Sequence, residues 1–205
     1  MGLYNKYILP GVINWACKQE PNMRQREKVV PLAHGNVLEI GVGTGLNLPF
    51  YNKEKVKHLT TIDPSEDNWN KNVVDIQSLP FDFEFINAFA ESIPMDNNSF
   101  DTVVTTYTFC SISDIYKALA EIRRVLKTNG RLLFCEHGKA PDRPIQRWQN
   151  MINPIWKHFG GGCNLNRDIP VIIEGNGFKM DKMETMYISG WKPASFNYWG
   201  SAEIK

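Results

Sequence analysis

Short apolar runs alternating with amphipathic stretches set the rhythm of this chain. The segments NVLEIGV, HLTTID, FDFEFINA, FDTVVTTYTF and GRLLFCEH, bounded by turn-forming residues, predict five strands. Between the fourth and fifth, SDIYKALAEIRRVLKTNG repeats apolar residues at helical spacing: Ile115, Ala118, Leu119, Ile122, Val125 and Leu126. Ser113 or Asp114 can cap the start of this helix, and Gly130 can cap its end. Strands alternating with helices imply a parallel sheet covered on both faces.

The pattern changes near the C-terminus. RDIPVIIEGNGF predicts a short helix with Asp168 as N-cap, Pro170 in the first turn and Gly175 or Gly177 as terminator. KMDKMETMYI and FNYWGSAEI then follow as two strands with no helix between them, which predicts an antiparallel pair at one edge of the sheet.

The chain has 205 residues and neither an internal repeat nor a low-complexity segment, so one domain suffices. Residues 1–30 read as an N-terminal arm or lid, 35–138 as a ligand-binding core, and 139–205 as an acceptor-side insert with the closing strands. A formal net charge of +1 offers no bulk attraction for nucleic acid, and a small-molecule partner is expected instead. Cys17, Cys110, Cys135 and Cys163 form no CxxC pair, which suits a reducing, cytoplasmic setting and argues against structural zinc. The first twenty residues, interrupted by Asn5, Lys6, Pro10 and Asn14, read as neither a signal peptide nor a spanning helix.

Chemistry first appears in VLEIGVGTGLN, where Gly41, Gly43 and Gly45 alternate directly after the first strand. Such a turn lets backbone approach a ligand closely, and a following helix would offer free N–H groups to an anion. A ligand-free turn accounts for the glycines alone. TTIDPSEDN, however, sets Asp63 at the tip of the next strand, the edge where open parallel sheets bind ligands and where a carboxylate can accept both hydroxyls of a ribose. The GxGxG spacing departs from the GxGxxG that seats a pyrophosphate, so a nucleoside without one is favoured.

In order, LEIGVGTGLN, TIDPSEDN, AESIPMDNNSFDTVVTTYTFCSISD and EIRRVLKTNGRLLFCEHG resemble the motifs of class I S-adenosylmethionine-dependent methyltransferases, over roughly residues 35–138. Within them the chain looks like the type 11 group. TFCSI, CEHG and NPIWKHFGGGCNLNRD are similar to the alkyl-thiol S-methyltransferases of animals. The resemblance implies a Rossmann-like α/β fold with a seven-stranded, mainly parallel sheet of order 3-2-1-4-5-7-6 and one antiparallel strand at the edge. It implies S-adenosyl-L-methionine as cofactor, with Glu39 near the methionine ammonium, Gly41, Gly43 and Gly45 along the amino-acid end, and Asp63 on the ribose. Asn47 and Pro64 belong to the same binding motifs, and Thr105 and Thr106 flank the methionine portion. Where the family commonly has an adenine-binding aspartate this chain has Phe89, which leaves the backbone of Ala90 and the carboxylate of Glu91 as adenine contacts, with Phe89 packing on the ring.

Methyl transfer from a sulfonium is an in-line displacement that needs alignment, exclusion of water and, for some nucleophiles, loss of a proton. His137, after the fifth strand, is the candidate proton acceptor or orienter. A structural hydrogen bond to the neighbouring loop is its other reading. Cys110 reads as a small buried apolar residue. His158 and Cys163 flank a glycine run, but two ligands do not complete a tetrahedron, so no metal is expected. Tyr4, Tyr7, Trp15, Trp148, Trp156 and Phe159 suggest an aromatic cover over an apolar acceptor. The expectation is therefore methylation of a small lipophilic nucleophile, a thiol first, with a phospholipid amine or a quinone or phenol as alternative acceptors. Peripheral membrane contact and oligomeric state stay open. A nicotinamide oxidoreductase disagrees with the glycine spacing, and a non-catalytic S-adenosylmethionine-binding regulator is the alternative outside enzymes.

Overall fold

The computed structural model describes residues 9–72 and 74–205. Seven strands form one sheet: β1 (Gly35–Ile40), β2 (Val56–Ile62), β3 (Asp82–Ile86), β4 (Phe100–Thr106), β5 (Leu126–His137), β6 (Phe178–Tyr187) and β7 (Phe196–Ile204). Their order is β3-β2-β1-β4-β5-β7-β6. The first five pair in parallel, and β7 runs antiparallel to both β5 and β6. The closing pair is antiparallel as expected, and its reversed member is the inner strand. β1 and β4 are central, which explains their continuous apolar character: Val37, Leu38, Val103 and Val104 are fully buried, with a cover on each face of the sheet.

α4 (Ile115–Val125) turns Ile115, Ala118, Leu119, Ile122 and Val125 to one face of the sheet, and Asp114 Oδ1 caps it by accepting from Lys117 N at 3.0 Å. α6 (Ile169–Gly175) packs beside it through Ile169 and Ile173. The other face is closed partly by Val29 and Val30, at the end of α2 (Glu20–Val29), together with Leu48, Tyr51 and Trp199. α1 (Leu9–Cys17) precedes α2, so the described part of the N-terminal arm is helical, and the one-turn α3 (Glu66–Trp69) follows β2. Tyr4 and Tyr7 lie outside the described residues.

Two local expectations are corrected. Helix α4 stops at Val125, and LKTNG belongs to β5, because Leu126 pairs with Phe100 of β4. Gly130 is thus no helix cap; a Cβ there would lie 3.1 Å from the Phe100 carbonyl, so it permits close strand contact. The glycine turn is followed not by a helix but by a single 3-10 turn, Leu48–Phe50. The chain then buries Tyr51, whose hydroxyl donates to Glu39 Oε2 at 2.8 Å, and runs on to β2. No α-helix N-terminus directly follows the turn, and its chemistry rests on individual N–H groups and side chains.

Candidate active site

The C-terminal ends of β1, β2 and β4 open into a cavity of about 360 Å³. All three turn glycines have left-handed backbone, with φ of +75° at Gly41, +55° at Gly43 and +78° at Gly45. A Cβ on Gly41 would strike the Thr108 side chain at 2.5 Å, whereas one on Gly43 would meet nothing within 4 Å. Gly43 lines the cavity, so any side chain there competes with whatever fills it.

Asp63 joins the two motifs. Its Oδ2 accepts from Gly43 N at 2.9 Å and its Oδ1 from Ser65 N at 2.8 Å. Burial pushes its carboxyl above the ordinary value, and those two N–H groups partly offset the shift. Each oxygen keeps a lone pair for a further donor, so the carboxylate suits a ribose diol. Ala90 is buried and Phe89 is 63% exposed, both on the cavity wall, where they can flank an adenine.

A buried cation supplies the opposite charge. Arg26 of α2 lines the cavity, with Nη1 donating to Asn47 Oδ1 at 2.8 Å and also to Thr106 Oγ1. Its guanidinium stands 5.1 Å from the centre of the Tyr107 ring, and its Nε is buried without a hydrogen-bond partner. Unused donors of a rigid, permanently charged fork suit a carboxylate, such as that of the expected cofactor's methionine end. Tyr107, itself in left-handed backbone with φ of +54°, is held by a 2.7 Å bond to Asn197 Oδ1.

Behind Arg26, Asn47 Nδ2 donates to Glu39 Oε1 at 2.9 Å, and Tyr51 donates to the other oxygen. Burial raises the Glu39 carboxyl to about 6, against the pull of Tyr51, Asn47 and Arg26. The folded state therefore holds its proton more tightly than the unfolded chain does. Between pH 4.5 and about 6 the contribution of Glu39 to stability falls as pH rises, by about 2 kcal/mol in total. Unfolding of wild type and Glu39→Gln across pH 4–8 checks this: the stability of wild type relative to the variant should decline by about that amount over this interval and then level off. A difference independent of pH would place the carboxyl near its ordinary value.

A second polar group lies behind the wall formed by Tyr107, Ser111 and Gly161. Cys163 Sγ is 3.3 Å from His137 Nε2, and these atoms together with Cys110 Sγ all lie within 4.8 Å of one another. Three separate segments meet here: the loop after β4, the end of β5, and the loop after α5 (Arg143–Phe159). Asn164 ties two of them, since its N and Nδ2 donate to the Cys110 carbonyl at 2.9 and 2.8 Å. Arg167 clamps the same loop through the carbonyls of Phe109 and Ile112. A hydrogen bond from Cys110 pulls the Cys163 thiol down despite burial; the same contact, with burial, pushes Cys110 up. Burial opposes charge on His137, but the Cys110 sulfur and the Glu136 carboxylate outweigh it and raise the imidazole. Burial also lifts Glu136 to about 7, with Thr108 N donating to its Oε1 at 3.1 Å.

Of the residues expected from the sequence, Gly41, Gly43, Asp63, Pro64, Ala90, Glu91 and Thr106 line the cavity. Glu91 Oε1 also accepts from Asp114 N at 3.2 Å, so it braces α4 as well. Glu39 and Asn47 stand behind the wall as supports for Arg26, while Gly45 shapes the turn, where a Cβ would lie 2.8 Å from Asn72. Thr105 is buried within β4, and His137 faces Cys163 instead of the cavity. The partner of Cys163 is His137, 26 residues before it in sequence. Arg26 and Tyr107 were missed, since EPNMRQREKV is polar all round and carries no stripe marking its buried face. The C-terminal aromatics also differ from expectation: Trp148 and Trp156 pack on Trp191 at 6.1 and 5.1 Å, and α1 reaches the cavity through Ile13, Asn14 and Cys17. Asn14 Oδ1 accepts from Thr44 Oγ1 at 2.7 Å, which links the arm to the glycine turn.

The chain is similar in sequence and fold to known proteins. A family described as a methyltransferase domain matches residues 38–134. The rat protein named thiol S-methyltransferase TMT1B is 34% identical over 79% of the chain and 65% of its own length. The human protein named thiol S-methyltransferase TMT1A is 31% identical over 82% of the chain and 69% of its own length. The chain spans 62–66% of the length of the rat, human and mouse TMT1B proteins. In fold, it superposes on a SAM-dependent methyltransferase from Aquifex aeolicus with a TM-score of 0.64 and 19% identity, over 96% of this chain and 98% of that one.

Proposed function

Because this chain belongs to the S-adenosylmethionine-dependent methyltransferases, we propose that it transfers the methyl group to the sulfur of a small lipophilic thiol. The observation that carries this reading is a cavity whose wall is largely apolar, with Ile13, Ile40, Val42, Ile62 and Ile112, set against a cluster of two cysteines and a histidine. The relatives named as thiol S-methyltransferases support the same choice.

When bound, S-adenosylmethionine supplies an electrophilic methyl: an S–CH3 bond forms to the acceptor as the sulfonium C–S bond breaks, giving a thioether and S-adenosylhomocysteine while the thiol proton is released. In this reading the protein's residues hold the two ends in line. Asp63 accepts from the ribose hydroxyls, Arg26 pairs with the methionine carboxylate, and the Gly41–Gly43 backbone admits the amino-acid chain. Ile62, Phe89 and Ala90 flank the adenine. Apolar side chains exclude water from the acceptor end, and the cluster at His137 favours the acceptor's deprotonated form.

A thiol with pKa near 8.5 is only about 3% thiolate at pH 7, so full ionisation is worth about 30-fold. Turnover on a panel of alkyl thiols, amines and phenols, with product mass as readout, tests the assignment. Lipophilic thiols should give thioethers, and His137→Ala should be slow at pH 7 yet partly recover at pH 9, where thiolate forms unaided. Turnover confined to amines or phenols would sink the thiol reading.

A further inference from the structure

Methyl transfer to a thiol calls for no pair of cysteines beside a histidine, yet two of the four in this chain converge on one imidazole. Among the described residues, Cys110, His137 and Cys163 are the one group of three metal-ligating side chains whose donor atoms all lie within 4.8 Å of one another. We propose that these three side chains bind a soft divalent cation, zinc first, and leave its fourth position open toward the cavity.

The donor set and the spacing both fit. Two sulfurs and an imidazole nitrogen select zinc over magnesium or calcium, which take oxygen. Around tetrahedral zinc, with Zn–S near 2.3 Å and Zn–N near 2.0–2.1 Å, neighbouring donors stand about 3.6–3.8 Å apart. Cys163 Sγ and His137 Nε2 are 3.3 Å apart, and the widest separation in the group is under 4.8 Å, so adjustments of about 1 Å or less complete the shape. The two loops that carry the cysteines are already pinned by Asn164 and Arg167, and His137 is held at the end of β5, which lowers the cost of ordering the donors. Three protein ligands plus one open position is the pattern of catalytic zinc, whereas structural sites close all four.

The cluster adjoins the wall of the cavity. Ser111 follows Cys110, Gly161 lies two residues before Cys163, and both line the cavity. Gly162, with φ of +86°, would place a Cβ 3.5 Å from the Ser111 carbonyl, so the loops meet at this wall. A cation there would take the acceptor as thiolate: the S–H bond breaks, the proton leaves to solvent, and sulfur keeps its electron pair for attack on the methyl carbon. This last step rests on the thiol reading above; cation binding itself does not.

Cobalt titration of the reduced, chelator-stripped full chain separates the two. One equivalent of Co²⁺ should give sulfur-to-metal charge-transfer absorption with the visible bands of a tetrahedral site, and Zn²⁺ should abolish them. Cys110→Ser and Cys163→Ser should each weaken binding by more than about 100-fold, since even outer-shell partners of a metal are worth 10–100-fold. His158→Ala should leave the spectrum unchanged. Wild-type protein that shows no charge-transfer band, or a band that survives in the Cys110→Ser/Cys163→Ser double variant, would overturn the site. If the site forms, an alkyl thiol should shift its spectrum while an alkyl amine does not; a spectrum indifferent to thiol would overturn the acceptor role. Because no arm measures methyl transfer, failure of the cation site and failure of the thiol reading are separate results.

Discussion

Gly43→Val is expected to abolish measurable binding of S-adenosylmethionine while the sheet remains folded. Gly43 holds φ of +55° and, among the turn glycines, is the one whose added Cβ would meet no protein atom within 4 Å. The space it would enter is the cavity. Valine there fills ligand volume with a branched side chain and forces the backbone out of the left-handed region, costing about 1–3 kcal/mol of stability. For a chain of this size that lowers the unfolding midpoint by only about 2–4 °C per kcal/mol. Backbone relaxation would also pull the Gly43 N–H away from Asp63 Oδ2 and loosen the ribose carboxylate. Calorimetric titration beside circular dichroism reads both effects, and Gly43→Ala should fall between. A folded valine variant with normal affinity would remove the turn from the site.

What could be read from the sequence is what local chemistry decides. The alternating glycines implied a turn in which backbone could approach a ligand closely, and all three have positive φ. The strands were recognisable because buried strands need apolar runs, and β1, β4 and β5 have them. The end of α4 was misjudged because apolar periodicity continues through Leu126, and only pairing with Phe100 says that the strand has begun. Arg26 was hidden for a related reason: its burial depends on Asn47 and Thr106, 21 and 80 residues away. The sulfur–imidazole cluster was the least legible, since Cys163 sits five residues from His158 in sequence yet meets His137 across 26. Metal-site spacing rules work where ligands share a loop, and these three do not.

Asp63→Ala is expected to weaken S-adenosylmethionine and S-adenosylhomocysteine alike, by about 100-fold or more. A ribose diol can donate twice to this carboxylate, and each charge-assisted bond is worth about 1.5–3 kcal/mol. Both ligands carry the same ribose, so the loss should be equal for the two, unlike a change at a group that senses the sulfonium. The substitution also strands Gly43 N and Ser65 N, which now donate to Asp63. That second effect needs its own control. Asp63→Asn keeps one acceptor oxygen for the turn but removes the charge, so it should melt closer to wild type than Asp63→Ala while still binding both ligands weakly. If Asp63→Asn bound with full affinity, the carboxylate would be a brace for the glycine turn and not a ribose ligand. Burial already holds this carboxyl above its ordinary value, so lowering the pH toward the acidic range should weaken wild-type binding before the protein unfolds. Protonation removes one acceptor and the charge together, and the Asp63→Asn variant should lack that acid-side decline.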